Sequence, residues 1–494
     1  MKKINNILIV CLLAFVATSC FKDNSSEGLN RLVPVEVNGF GTKYDVYTHR
    51  DVLNISPTVI NESQFDFFWL AYNKNFNVNA GVVPKADTLS KTKDLSYEVM
   101  LNPGQYILVF NVQNKETKVT TKITSDLNVS TLNMKGWYFL KTEGGKTDFD
   151  FIHNEGRIDK WIEKYNGASI EGNAVKALYV SQMKPTPTSS DLYNTLFVIS
   201  DKDARFYRID NGKEAMNFEN MFFSAPAVRK PQNIIQPMSA QNVVLINDGQ
   251  MYGMVKGGRF SAPPVSVPAY KVSPVACVAA LLLGFDELTK SFIISDGGNS
   301  WVSVPSTSSA MKNMNADIVW MAGYAGSRSA GMALIRKADR SGNLLKLNMN
   351  YGQMSSGSSP YMYDPLNPHV VSASHGLMSS DVIAGNYDND YVYYAKGNNV
   401  YMTDIATMPE KLQITLPEGE AITCMQHVKY PDPPNTTLNV FVVASVTGDS
   451  YKVRYYNISS TGVLTPSATT KDVIGKGRIV SVIYMEQGIG SRIY

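Results

Sequence analysis

Between residues 136 and 455 one local unit recurs: an apolar strand, a tight turn of Gly, Asp and Asn, and a second strand rich in Tyr, Val and Met. Gly136 to Leu140 turns at Gly144-Gly145 into Phe149 to Ile152, and Leu196 to Ile199 turns at Asp201-Lys202-Asp203 into Phe206 to Ile209. Val243 to Ile246 turns at Asn247-Asp248-Gly249 into Met251 to Val255, and Phe292 to Ile294 turns at Asp296-Gly297-Gly298 into Trp301 to Val304. Tyr391 to Tyr394 and Phe441 to Ala444 open two later copies, and a diverged one spans Met332 to Leu347. A lone hairpin cannot bury its apolar side chains, so such units must stack on one another. About fifty residues separate successive first strands, the size of a four-stranded propeller blade. The stretch ending in the strand Arg478 to Met485 has room for about seven blades, and that strand is placed to close the ring beside the first. A stacked pair of β-sandwiches would give similar hairpins but no reason for an even period.

The preceding residues, 32–133, follow a different rule. In Gly104-Gln105-Tyr106-Ile107-Leu108-Val109-Phe110-Asn111-Val112, residues Tyr106, Leu108, Phe110 and Val112 recur with period two and share one sheet face. Val52 to Pro57, Phe65 to Leu70 and Lys118 to Ile123 read as further strands, and Trp69 is large enough to plug the centre of a two-sheet core. Short strands separated by turn residues argue for a β-sandwich. The expected fold class is therefore all-β, an Ig-like sandwich followed by a propeller over 134–494.

The string Asp51-Val52-Leu53-Asn54-Ile55-Ser56-Pro57, the strand Phe65 to Trp69, Asp94-Leu95-Ser96-Tyr97 and the strand from Gly104 resemble the N-terminal domain of PKD-like family lipoproteins. That family is encoded beside outer-membrane nutrient importers of SusC/SusD type. The resemblance implies an importer as partner and supplies no catalytic residue.

At the N-terminus, Lys2 and Lys3 precede an apolar run from Ile7 to Val16, then Ala17-Thr18-Ser19-Cys20. This is the layout of a secretory signal over residues 1–19, with an apolar stretch too short to span a bilayer. Cys20 directly after small residues resembles the lipobox of bacterial lipoproteins, which implies acylation of its thiol and a mature chain beginning there. Residues 20–31 are polar and read as a tether. Lys22-Asp23 and Glu27 resemble a signal for export to the outer face of the outer membrane. Cell-surface exposure is the expectation, and the periplasmic face stays open.

Removing Lys2 and Lys3 lowers the formal charge from +3 to about +1, which gives no electrostatic case for a nucleic-acid partner. Of four cysteines, Cys277 and Cys424 sit in apolar settings and read as buried free thiols, although pairing in an oxidising compartment stays open. His49, His153, His369, His375 and His427 fall in no zinc-site spacing, and no cofactor fingerprint, phosphate loop or nucleophile elbow is present. The acid pairs Asp201/Asp203 and Asp388/Asp390 lie in turns, where Asp caps its own backbone.

One stretch departs from the blade pattern. Residues 349–365 are too rich in Gly, Ser and Pro for a core strand, yet carry three tyrosines and three methionines. Long loops on rigid scaffolds are where binding groups sit, so Tyr351, Met354, Tyr361, Met362 and Tyr363 are the candidate ligand contacts. A connection folded back on the propeller rim is the alternative. The functional expectation is a non-enzymatic lipoprotein without cofactor that binds an oligosaccharide or peptide beside a SusC/SusD-type importer. A propeller hydrolase and a purely structural subunit are the rivals.

Overall fold

The computed structural model describes residues 35–75, 85–184, 192–237, 242–255, 258–263, 269–278, 281–295, 301–303, 311–325, 330–350 and 361–494. The chain divides into two compact units after Ser130.

In the first unit, strands Lys43–Tyr47, Thr120–Ser130, Gly104–Asn114, Phe65–Asn73 and Asp87–Ser90 form one sheet in that order. The first two are parallel and the remaining pairs antiparallel. Val52–Ile55 pairs with Leu95–Glu98, and Val37–Asn38 with Thr58–Val59. The period-two face behaves as its sequence requires: Leu108, Phe110 and Val112 are buried together with Val46, Leu53, Leu95 and Leu127, and Tyr106 packs against them. Trp69 lies opposite Phe110 in register, their rings 4.4 Å apart, and its indole N–H donates to the Thr92 carbonyl at 3.1 Å. A large ring thus fills the middle of the core without stranding its one donor.

The second unit is a propeller of seven sheets among the described residues. Blade 1 is Ala174–Met183, Tyr193–Ser200, Ala204–Arg208 and Glu214–Met216; blade 2 is Pro231–Ile235, Asn242–Asn247 and Gln250–Val255. Blade 3 is Cys277–Val278, Leu282–Asp286, Ser291–Ser295 and Trp301–Ser303; blade 4 is Asp317–Gly323, Ala330–Arg336, Gly342–Asn350 and Tyr361–Val371. Blade 5 is Ile383–Gly385, Tyr391–Lys396, Asn399–Asp404 and Lys411–Thr415; blade 6 is Ala421–Tyr430, Leu438–Thr447, Ser450–Ile458 and Leu464–Pro466, with Val473–Lys476 also paired to its third strand. Blade 7 joins the two ends of the unit: Arg478–Glu486 is its inner strand and pairs antiparallel with Gly136–Glu143, followed by Lys146–His153 and Gly156–Ile158. The last long strand closes the ring, as its position in the sequence predicts.

Seven hydrophobic cores hold the ring, each shared by two successive blades and the last shared by blades 7 and 1. A blade strand therefore buries both faces. In Val440-Phe441-Val442-Val443-Ala444, Phe441 and Val443 enter the core with blade 5, while Val440, Val442 and Ala444 enter the core with blade 7. This is why the propeller strands read as unbroken apolar runs while the sandwich strand alternates. Inner strands also approach closely: a Cβ at Gly323 would lie 1.9 Å from the Val278 carbonyl oxygen, so only glycine fits.

Two sequence expectations need correction. In blade 3 the repeated hairpin is Leu282–Asp286 with Ser291–Ser295, one strand earlier than the apolar pattern at Phe292 and Trp301 suggests. And Tyr361, Met362 and Tyr363 belong to a strand, not to a loop: they pair with Asn350, Met349 and Asn348 on the outermost strand of blade 4. The edge position tolerates the prolines of this segment, since an outer strand needs a partner on one side only.

Candidate functional site

Every inner strand begins on one face of the propeller and ends on the other, here the near and far face. The far face carries the connections from inner to second strands. In blades 4, 5 and 6 these connections surround a recess of about 530 Å³. Tyr324 enters from blade 4; Tyr387, Asp388 and Asp390 from blade 5; Lys429 and the Pro433-Pro434 segment from blade 6; and Lys346 reaches in from the third strand of blade 4.

The blade 5 turn is built by Asn386, whose side-chain oxygen accepts from the Asp388 amide at 2.9 Å. The asparagine closes the turn, which leaves both aspartates facing lysines on neighbouring elements. Lys429 Nζ donates to Asp388 Oδ1 at 2.5 Å, and Lys346 Nζ donates to Asp390 Oδ2 at 2.8 Å. The Tyr324 hydroxyl donates to Asp390 Oδ1 at 2.5 Å. Burial and that carboxylate push the Tyr324 phenol upward, so it remains a donor at neutral pH. About a third of each aspartate side chain is exposed (35% and 34%), so their remaining lone pairs are reachable.

Behind the recess stands a buried aromatic stack. The Tyr387 ring lies parallel to the His427 imidazole, centroids 5.4 Å apart, and packs on Tyr494 at 4.8 Å. The Tyr387 amide donates to His427 Nδ1 at 3.1 Å, which leaves the ring proton on Nε2, donated to Asn439 Oδ1 at 2.6 Å. Burial lowers the His427 pKa to about 4, so it is neutral and fully committed at neutral pH. The Tyr387 hydroxyl donates to the Tyr494 carbonyl at 3.2 Å, and Tyr494 in turn donates to Asp432, which Arg492 holds at 2.9 Å.

The recess thus offers carboxylate acceptors, ammonium donors and tyrosines, with its two acids balanced by two lysines. It suits a neutral polar ligand. Both aspartates are held in ion pairs with lysines.

Cys277 and Cys424 are buried free thiols, and burial raises both to about 12. Half-buried Lys176 donates to Asn233 Oδ1 at 2.9 Å, and burial lowers its pKa to about 8. His375 caps a short 3-10 turn by accepting from the Leu377 amide at 3.1 Å, and His369 lies on the outer strand of blade 4 opposite Leu344. Among the described residues no three His, Cys, Asp or Glu side chains converge as a metal site.

Of the sequence-predicted residues, Cys20, Tyr351 and Met354 lie outside the described residues. Tyr361, Met362 and Tyr363 sit at the far-face end of blade 4, where Tyr363 pairs with Asn348 and Asn348 pairs with Ala330, a recess residue. Two strand spacings, about 10 Å, separate that ladder's two ends. Sequence reasoning saw Asp388 and Asp390 but assigned them to turn chemistry. That account holds for Asp203, which accepts from the Ala204 amide at 2.9 Å, whereas Asp201 accepts from the amide of Asn173, 28 residues away, at 2.8 Å. The lysine partners of Asp388 and Asp390 come from blades 6 and 4, and no local motif announces them.

Residues 20–174 match the model of the PKD-like family, a stretch that runs past the first unit into the first propeller strands. No curated protein matches the chain. Among solved structures, it is similar to a quinonprotein alcohol dehydrogenase-like protein of Bacteroides thetaiotaomicron, with 13% identity, 92% of this chain and 99% of that chain covered, and a TM-score of 0.45. A DUF4784 family protein of Bacteroides caccae matches at 9% identity, covering 78% of this chain and 97% of its own, with a TM-score of 0.34. The WD40 domain of SCAP from fission yeast matches at 10% identity, covering 61% and 75%, with a TM-score of 0.31.

Proposed function

We propose that this protein is a non-enzymatic lipoprotein, anchored through acylated Cys20 at the outer membrane and exposed on the cell surface, that binds an oligosaccharide or peptide for a SusC/SusD-type importer. The observation that carries the binding reading is the far-face recess, where Asp388 and Asp390 are both neutralised by lysines beside Tyr324 and Tyr387. Such a site supplies paired donors and acceptors for a polar ligand. The lipoprotein reading rests on the resemblance of Ala17-Thr18-Ser19-Cys20 to a lipobox. A tethered weak binder works by local concentration, raising the ligand's effective concentration at a neighbouring transporter without chemistry of its own.

The test is a calorimetric screen of the purified chain from Cys20 onward against neutral oligosaccharides and peptides, with product analysis of every binder and affinity isolation of the acylated protein from membranes. Ligand recovered intact, together with co-isolation of an importer pair, supports the proposal. Cleavage of the ligand that disappears in Asp390→Asn replaces it with a hydrolase. Co-isolation with an empty screen replaces it with a structural subunit.

A further inference from the structure

A second cleft, of about 790 Å³, opens on the near face where blades 6 and 7 meet, at the opposite end of the strands from the recess. Its volume lies in the range of about 300–1,000 Å³ typical of small-molecule sites. Eight of its ten lining residues are charged, five basic and three acidic, and the other two are Gly167 and Gly475, so no apolar side chain lines it.

The floor is built and internally satisfied. Buried Lys141 and half-buried Arg157 both reach the buried Asp150 carboxylate, at 2.8 and 2.7 Å. Gly475 is required beneath them: a Cβ there would lie 2.4 Å from Arg157 Nη2 and from the Tyr451 ring. The rim is different. Lys160, in the left-handed region at φ 50°, has its nearest carboxylates at 3.7 and 3.8 Å, beyond hydrogen-bond distance. Exposed Lys164 and Lys476 are in no ion pair among the described residues. The cleft also holds three carboxylates, Glu143 bound by Lys141, Asp159 bound by Arg157 and Glu163 beside Lys160, so among the described residues the ammonium groups without a carboxylate partner are those of Lys164 and Lys476.

We propose that this cleft binds an acidic oligosaccharide, one carrying sulfate or carboxylate groups on successive rings. Lysine ammoniums are compact point charges that accept sulfate and carboxylate alike, and their hydrogen bonds to an anion are charge-assisted. An acidic peptide is the poorer fit, because peptide recognition relies on apolar side-chain pockets that the lining lacks. The inference does not depend on the far-face recess being a binding site.

The experiment titrates the purified chain from Cys20 onward with heparin-derived and polygalacturonate oligosaccharides, their neutral counterparts and a polyglutamate peptide, at low and high salt. Acidic oligosaccharides are expected to bind at low salt and to release at high salt, with the neutral ones silent. Lys164→Gln with Lys476→Gln is expected to weaken binding about tenfold or more, and Lys411→Gln on blade 5 to leave it unchanged. Both rim lysines are exposed and outside the Asp150 network, and the two single variants serve as a second measurement if the double variant melts early. Absence of binding to every acidic oligosaccharide, tighter binding to polyglutamate, or unchanged affinity in the rim variants would each overturn the proposal.

Discussion

The Tyr451 hydroxyl donates to Asp150 Oδ2 at 2.7 Å across 301 residues of sequence, tying blade 6 to blade 7 where the two ends of the propeller unit meet. Asp150 also accepts from Lys141, Arg157 and the Lys160 amide, at 2.8, 2.7 and 3.1 Å. Burial disfavours the Lys141 charge, but Asp150 and Glu143 more than offset that and hold its ammonium above the ordinary value. Removing one partner from such a cluster strands the others in a dry interface. Asp150→Asn is therefore expected to destabilise the propeller by about 3–5 kcal/mol, read from the denaturant midpoint, and Tyr451→Phe by about 1–3 kcal/mol. A wild-type midpoint in Asp150→Asn would mean that this network does not hold the ring closed.

His427 gives the propeller a pH dependence. Burial lowers its pKa to about 4, while the unfolded chain titrates near 6.5. Between those values the unfolded state binds more protons, so stability is complete above about pH 6.5, declines as pH falls and has lost its full increment below about pH 4. The increment is about 3 kcal/mol. Urea midpoints measured from pH 7 to pH 4 should show this slope in the wild type and a flatter one in His427→Gln.

Trp69 makes the corresponding claim for the sandwich. Its fully buried ring packs on Phe110 at 4.4 Å and Phe40 at 5.8 Å. Trp69→Ala should cost about 3–5 kcal/mol through lost contacts and the cavity left behind. Because the two units have separate cores, the sandwich phase of a calorimetric melt should move while the propeller phase stays in place. Equal shifts of both phases would contradict that independence.

The architecture was legible in the sequence where strands are long and bury both faces. Runs such as Val243 to Ile246 and Phe441 to Ala444 announce blade strands, and Arg478 to Met485, the last long apolar strand, announces ring closure beside the first. Blade 3 was misregistered because its flanking strands, Cys277–Val278 and Trp301–Ser303, are only two and three residues long. Short strands leave no periodicity to read. The recess was illegible for another reason: Lys346, Asp390 and Lys429 belong to three blades, and only the closed ring brings them to one rim. Composition flagged the tyrosine-rich segment instead, and part of that segment is edge strand.

The recess yields the most direct functional prediction. Asp390 holds two groups at once, the Lys346 ammonium and the Tyr324 hydroxyl. Asp390→Asn keeps the shape but removes the charge that positions both, leaving a free ammonium among the ligand's hydroxyl groups. Tyr324→Phe removes one donor and preserves the ion pair. Affinity for a neutral oligosaccharide or peptide that binds the wild type should therefore fall about tenfold or more in Asp390→Asn and by a smaller factor in Tyr324→Phe, with thermal stability nearly unchanged because the pair is a third exposed. Isothermal titration of both variants with the same ligand reads the order directly. If the two affinities match the wild type while the ligand still binds, the ligand is seated elsewhere on the propeller.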